Sequence, residues 1–185
     1  MELSASERET LKAVYRLSQS DPNVRSGPLA EALGISPAAV TARLQRLHQR
    51  GFADHTPYHG VALNTEGRRL AVAAIRRHRI VERFLADMLG YAWDQADRLS
   101  VVFEHSIPNE VVQRLYTALN RPATCPHGFP IPDPEAGELP SLRTLADLDP
   151  GEEVDIALPG DLDDEVRRFL PEIGIRPGVR ARVTE

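Results

Sequence analysis

The chain has 185 residues, of which 42% are hydrophobic and 26% charged, and a formal net charge of −5; that balance belongs to a globular chain and excludes a disordered or fibrous one. A single cysteine, Cys125, excludes an internal disulfide framework and a cysteine-rich zinc site. No apolar run approaches bilayer length and the N-terminus carries no signal-peptide pattern, so a cytoplasmic protein is expected.

The charge is unevenly spread. Residues 1 to 77 hold eleven Lys and Arg against seven Asp and Glu, whereas residues 121 to 185 hold seven against fourteen. The whole-chain balance argues against a nucleic-acid binder, but the basic excess at one end fits a local DNA footprint. Residues 4 to about 19 read as an amphipathic helix that buries Leu11, Val14, Tyr15 and Leu17, with Ser4 or Ser6 as N-cap and Glu7 at capping-box spacing from Ser4. Glu9 lies at the edge of that apolar stripe, where it can face a neighbour or water. Ser20-Asp21-Pro22-Asn23 ends the helix.

A second helix, from about Pro28 to Leu33, stops at Gly34, which can take the left-handed conformation of a tight turn. Ser36 then caps a third helix with Pro37 in its first turn, apolar at Val40, Leu44 and Leu47 and ending before Gly51. Helix, glycine turn and capped helix form a helix-turn-helix pattern, although an ordinary helical hairpin has the same outline. In the DNA-binding reading the third helix enters the major groove. Ser36, Ala38, Ala39, Thr41 and Ala42 are small enough to approach base edges, while Arg43, Arg46 and Arg50 can reach phosphates. Phe52 to His55 and Val61 to Leu63 are strand-like about a turn containing Pro57 and Gly60, which adds a wing whose tip residues, Tyr58 and His59, would face phosphates.

Asn64 or Thr65 caps a long helix from about Glu66 to Leu89 that carries Arg68, Arg69, Arg76 and Arg77 and then His78. His78 and Glu82 are four apart and share a face. After Gly90 a helix from Trp93 or Asp94 to His105 places Asp97, Val101, Glu104 and His105 at i, i+4, i+7 and i+8, again one face. Two such faces meeting would pool imidazoles and carboxylates, a ligand set for Mn, Fe(II), Co, Ni or Zn. Spacing alone leaves open two solvated faces. No Glu-x-x-His pair or H-E-x-x-H motif occurs, which argues against a metalloenzyme.

A further helix begins near Pro108, with Asn109 or Ser106 as cap, and runs through Val111, Val112, Leu115 and Leu119. Phe84, Leu85, Met88, Leu99, Val102, Phe103 and Val112 exceed what three short helices can bury among themselves, so a self-association face is expected. Arg121 to Ser141 reads as a Pro- and Gly-rich linker, in which Cys125 and His127 are turn residues because two ligands on a loop close no site. The last segment has a turn at Pro150-Gly151, a strand from Val154 to Leu158, a helix of about Asp163 to Leu170, a turn at Pro177-Gly178 and a strand through Arg182. It is short for an independently stable domain.

The order of these parts, with the segments HRIVERFL, FEHSIPNEV and CPHGFPIP, resembles the diphtheria toxin repressor family of metal-dependent transcriptional regulators, which includes manganese and iron sensors. The resemblance implies a mainly α fold: a winged helix-turn-helix over residues 1 to 70, a helical metal-binding and dimerisation domain with a Pro-rich linker over 71 to 140, and the start of a small SH3-like β-barrel over 141 to 185. It implies two metal positions, one from His78, Glu82 and Asp97 and one from Glu9, Glu104 and His105. Val101 stands where members carry a ligating cysteine or glutamate, and Asp97 where iron-type members carry histidine. The function implied is a homodimeric repressor of operator DNA in metal-ion homeostasis. Oxygen and imidazole donors without sulfur favour Mn²⁺ as corepressor, with Fe²⁺ as the alternative. A winged-helix regulator that answers to an organic ligand and ignores metal is the competing reading.

Overall fold

In the computed structural model, residues 3–56, 60–135, 137–159 and 162–184 are described. The wing-tip positions Tyr58 and His59 lie outside them. The elements run in the order α1 (Ala5–Leu17), α2 (Ser26–Leu33), α3 (Pro37–Gln49), β1 (Ala53–Thr56), β2 (Gly60–Leu63), α4 (Thr65–Leu89), α5 (Trp93–Ser106), α6 (Asn109–Ala118), β3 (Glu153–Asp155), α7 (Asp164–Glu172) and β4 (Arg180–Arg182). Mainly helical architecture with a winged helix-turn-helix at its start is what the residue pattern predicts. No helix among the described residues is long and apolar enough to cross a membrane.

Two compact units divide the chain. The first takes Met1–Arg76 and Pro132–Leu139, the second Arg77–Ile131 and Pro140–Glu185. In the first, Leu11, Val14 and Tyr15 of α1 interlock with Leu29 of α2, with Val40, Leu44 and Leu47 of α3 and with Val72 and Ile75 of α4, all buried. Each such side chain contributes about 1.5–3 kcal/mol by leaving water, so a single Leu44→Ala change costs roughly 2–5 kcal/mol. The helix ends obey their caps. Ser4 and Glu7 close a capping box on α1, the Ser36 hydroxyl accepts from the Ala39 amide at 3.3 Å, and the Asn64 side chain accepts from the Gly67 amide at 2.9 Å. Between α2 and α3, Gly34 sits at φ 62°, the left-handed region where a side chain is strained. β1 and β2 pair antiparallel, Ala53 opposite Leu63, and Val24 joins the second strand through a bridge to Val61. The Leu139 amide donates to the Tyr15 hydroxyl at 2.8 Å, which ties the segment from residue 132 to this unit.

The second unit has small cores. Ile80, Val112 and Ile131 form one, and Val81, Leu85 and Ala96 another. Phe84 and Phe103 stack at 6.3 Å between centroids. Met88, Leu89, Leu99, Val102, Phe103 and Val111 stay exposed, Val102 to 72%. The Pro-rich run is not the free linker expected. Thr124 bridges to Pro130, and Cys125, His127 and Ile131 are buried. Its Pro content suppresses regular hydrogen bonding without preventing burial. The strand expected from Val154 to Leu158 stops at Asp155; the Leu158 amide donates instead to the His127 carbonyl at 3.0 Å. Gly128 permits that approach: at φ 86°, its Cβ would lie 2.6 Å from the Ile156 carbonyl oxygen. β3 and β4 pair as an antiparallel ribbon, and the described strands close no barrel.

Candidate metal centre and nucleic-acid interface

α3 turns a small, polar face outward. Ser36, Pro37, Ala38, Thr41 and Ala42 are exposed and Ala39 is half-buried, as a helix must be to approach base edges. The hydroxyl of exposed Thr41 donates to the Pro37 carbonyl at 3.1 Å. Gln45, one turn beyond Thr41, is exposed on the same side. Sequence reading passed it over, although a glutamine at that spacing can pair with adenine. Arg46 is exposed and Arg43 half-buried. Arg50, grouped with them as a phosphate residue, is turned back into the protein: its Nη1 lies 2.6 Å from Oε2 of buried Glu7, and its guanidinium sits over Phe52, 4.9 Å from the ring centroid. Burial alone would raise the Glu7 carboxyl, but hydrogen bonds from Arg50 and from Ser4 outweigh it and hold the group below the usual carboxylate range. Glu9, two residues further along α1, has Oε1 at 2.9 Å from Nζ of buried Lys12.

In the second unit the two helix faces do meet, and at their crossing His78 is held from both sides. Its Nδ1 lies 3.0 Å from Oε2 of Glu104 and its Nε2 3.0 Å from Oδ1 of Asp97. The residue of α5 that shares this buried face is Ser100. Its hydroxyl is 3.1 Å from His78 Nδ1 and donates to the Asp97 carbonyl at 2.7 Å. Val101 stands exposed. On a helix both i+3 and i+4 neighbour Asp97, and the crossing selected the first. His105 has Nε2 at 3.7 Å from Oε1 of Glu104. Buried Arg77 organises the end of α5: Nε donates to the Glu104 carbonyl and Nη1 to Asn109 Oδ1, each at 2.7 Å, and Nη2 reaches the Ile107 carbonyl.

Glu82 shares a face of α4 with His78 but takes different partners. Its Oε1 meets Nδ1 of His127, and Glu82, Cys125 and His127 each bring a ligand-capable atom within 4.8 Å of the others, all three residues buried. The reading of Cys125 and His127 as turn residues only is thus corrected. The loop supplies two donors, and the third comes from α4, 45 positions away in sequence. Trp93 closes over His127 edge-on, at 4.9 Å between centroids. Burial, reinforced by the Glu82 charge, pushes the Cys125 thiol up to about 12, so without a cation it stays protonated at neutral pH. His127 Nε2 is buried with no hydrogen-bond partner among the described residues. An orphaned imidazole nitrogen beside a carboxylate and a thiol fits a divalent cation, which accepts all three donor types.

Residues 2–61 match the family described as "iron dependent repressor, N-terminal DNA binding domain", and residues 64–133 that described as "iron dependent repressor, metal binding and dimerisation domain". The chain is 30% identical to the iron-dependent repressor IdeR of Mycobacterium tuberculosis over 94% of its own length and 81% of that protein. It is 27% identical to the diphtheria toxin repressor of Corynebacterium efficiens over 94% and 80% of the two chains. A solved structure of a manganese-dependent transcriptional repressor in complex with manganese superposes with a TM-score of 0.82 at 32% identity, covering 97% of this chain and 83% of that one. Members of this family are transcriptional repressors rather than enzymes. With its DNA-binding and dimerisation domains both matched, the chain belongs to the iron-dependent repressor family and is a metal-dependent transcriptional repressor.

Proposed function

We propose a metal-activated homodimer that binds operator DNA and controls metal-ion homeostasis in the cytoplasm, with Mn²⁺ as the main corepressor. Residues 1 to 70 read DNA, residues 71 to 140 bind metal and dimerise, and residues 141 to 185 form a partial SH3-like module. The observation that carries the reading is the gathering of metal-ligating side chains about His78 and His127. His78, Glu82 and Asp97 belong to one metal position and Glu9, Glu104 and His105 to the other, with Cys125 and His127 joining Glu82. A bound divalent cation supplies the positive charge that lets these carboxylates sit together. Asp97 and Glu104 hold the His78 ring between them. A cation at the position given to Glu9, Glu104 and His105 would restrict the angle between the two recognition helices of the dimer. Half-site spacing on an operator is a geometric requirement, so restricting that angle selects the binding-competent state. A coupling of about 1 to 3 kcal/mol is enough to change occupancy strongly.

Ser36, Pro37, Ala38, Ala39 and Thr41 contact base edges, while Arg43, Arg46, Tyr58 and His59 contact phosphates. The manganese reading rests on the oxygen and imidazole donors of Glu9, Glu104 and His105. An iron-responsive reading is favoured by one observation, the Cys125 thiol beside Glu82 and His127, because sulfur strengthens binding of softer ions. The test is a mobility shift on the organism's own upstream DNA, after chelation and with each metal restored. Activation by Mn²⁺ at the lowest free concentration is expected, together with its loss in Glu104→Ala while the dimer persists. DNA binding that is equal in chelator and in metal would overturn the reading in favour of a metal-independent regulator.

A further inference from the structure

Resting on the metal-activated reading above, we propose that the Glu7–Arg50 ion pair is a latch that holds the first turn of α1 against the end of the recognition helix, so that constraint imposed at Glu9 reaches α3. Three observations carry it. Glu7 is 6% exposed, its Oε2 accepting from the Ser4 amide at 2.8 Å and from Arg50 Nη1 at 2.6 Å. One carboxylate oxygen thus joins the α1 capping box to the α3 C-cap. Arg50 in turn is fixed by its position over Phe52, the residue that leads α3 into β1. Glu9 follows Glu7 by two residues on the same helix, and a rigid helix turn carries a displacement of one to the other. Apolar contacts between α1 and α3 hold the helices together but are non-directional, whereas a buried, charge-assisted hydrogen bond has one geometry and resists sliding. Arg50 is therefore a positioning residue and not a third phosphate contact like Arg46.

The test uses the full chain and a duplex selected from random sequence by the wild-type protein loaded with Mn²⁺ or Fe²⁺, whichever activates. The quantity read is the gain in DNA affinity on going from chelator to saturating metal, with metal binding itself followed by calorimetry. Glu7→Gln and Arg50→Gln should each cut that gain about tenfold, leaving the calorimetric metal affinity and the salt slope as in wild type. The double variant should lose no more than either single one, because one interaction cannot be lost twice. Arg50→Lys, which keeps a cation at Glu7 and disturbs packing less, should retain part of the gain. The latch is overturned if the gain is unchanged, or if the losses add. It is also overturned if Arg50→Gln alone lowers the salt slope by about 1 while Glu7→Gln is silent, the signature of a phosphate contact. A wild-type protein whose DNA affinity ignores metal would overturn the metal-activated reading, and the latch with it. Wild-type activation with fully active variants would overturn the latch alone.

Discussion

Replacing Arg77 by Met keeps most of an aliphatic stem and removes a buried guanidinium. In the native protein that group is 8% exposed and serves the Glu104 carbonyl, the Ile107 carbonyl and Asn109 Oδ1. Hydrogen bonds from a charged donor are worth about 1.5 to 3 kcal/mol each, and a buried acceptor left without a partner costs about 1 to 3 kcal/mol. Against these stands the desolvation of the guanidinium, several kcal/mol that the variant no longer pays. The balance is a net loss of about 3 kcal/mol, a large share of the roughly 5–15 kcal/mol by which a domain is stable. Urea denaturation in chelator, followed by far-ultraviolet circular dichroism, measures it. Because the same side chain fixes the backbone of Glu104, the metal concentration needed for half-maximal DNA binding should rise as well. A loss under about 1 kcal/mol with an unchanged metal midpoint would refute the assignment of Arg77 as the organiser of the α5 terminus.

On α3, Arg46→Ala should weaken DNA binding evenly across sequences and reduce the salt slope by about 1, whereas Thr41→Ala should relax preference at one base pair at a cost of about 1 to 3 kcal/mol; equilibrium titration over a salt series separates the two. Binding to Cys125 requires its thiolate, and a thiol pushed up to about 12 holds its proton at neutral pH. Metal binding should therefore release a proton from this residue, and apparent affinity should climb with pH. Calorimetry in buffers of different ionisation enthalpy counts the protons, and Cys125→Ser should remove one of them. Val102, 72% exposed among other apolar side chains of α5, should tolerate no charge in a dimer interface; Val102→Glu is expected to give monomers by sedimentation with helical content unchanged, and a dimer of undiminished stability would place the interface elsewhere.

Helix ends and faces were legible because local chemistry determines them. Ser4 with Glu7, Ser36 with Pro37, and Asn64 each announce a helix start through a side chain that satisfies an orphan amide within three residues, and the structure keeps all three. What escaped reading has its cause at long range. His127 meets Glu82 across 45 positions and Arg50 meets Glu7 across 43, and no periodicity encodes such pairs. Arg50 lies just past the last turn of α3, where a long side chain can fold back as easily as reach outward, and the acidic partner decides. The choice of Ser100 over Val101 on the buried face depends on how α4 crosses α5. A stripe through 97, 101, 104 and 105 and one through 97, 100 and 104 differ in mean direction by roughly 50°, about half a residue of helical rotation, and either is amphipathic.

Cys125 changes the terms of metal selection. On oxygen and imidazole alone, selectivity among divalent ions must come from coordination number and supply, since Zn²⁺ outbinds Mn²⁺ at almost any set of protein donors. A thiolate widens that gap at the Glu82, Cys125 and His127 cluster, while Glu9, Glu104 and His105 hold no sulfur. On the proposed reading the two positions therefore differ in kind. The sulfur-containing one favours Fe²⁺, Co²⁺ or Zn²⁺, although its protonated thiol subtracts from the binding free energy at neutral pH. In the proposal above, the sulfur-free position is the one whose occupancy is read out in DNA binding. A cation confined to the first position would tie the CPHG loop to α4 through groups of a single unit, stabilising that unit without engaging Glu9. On the proposed reading, the ion that switches DNA binding is therefore selected at the sulfur-free set, whatever the softer one retains.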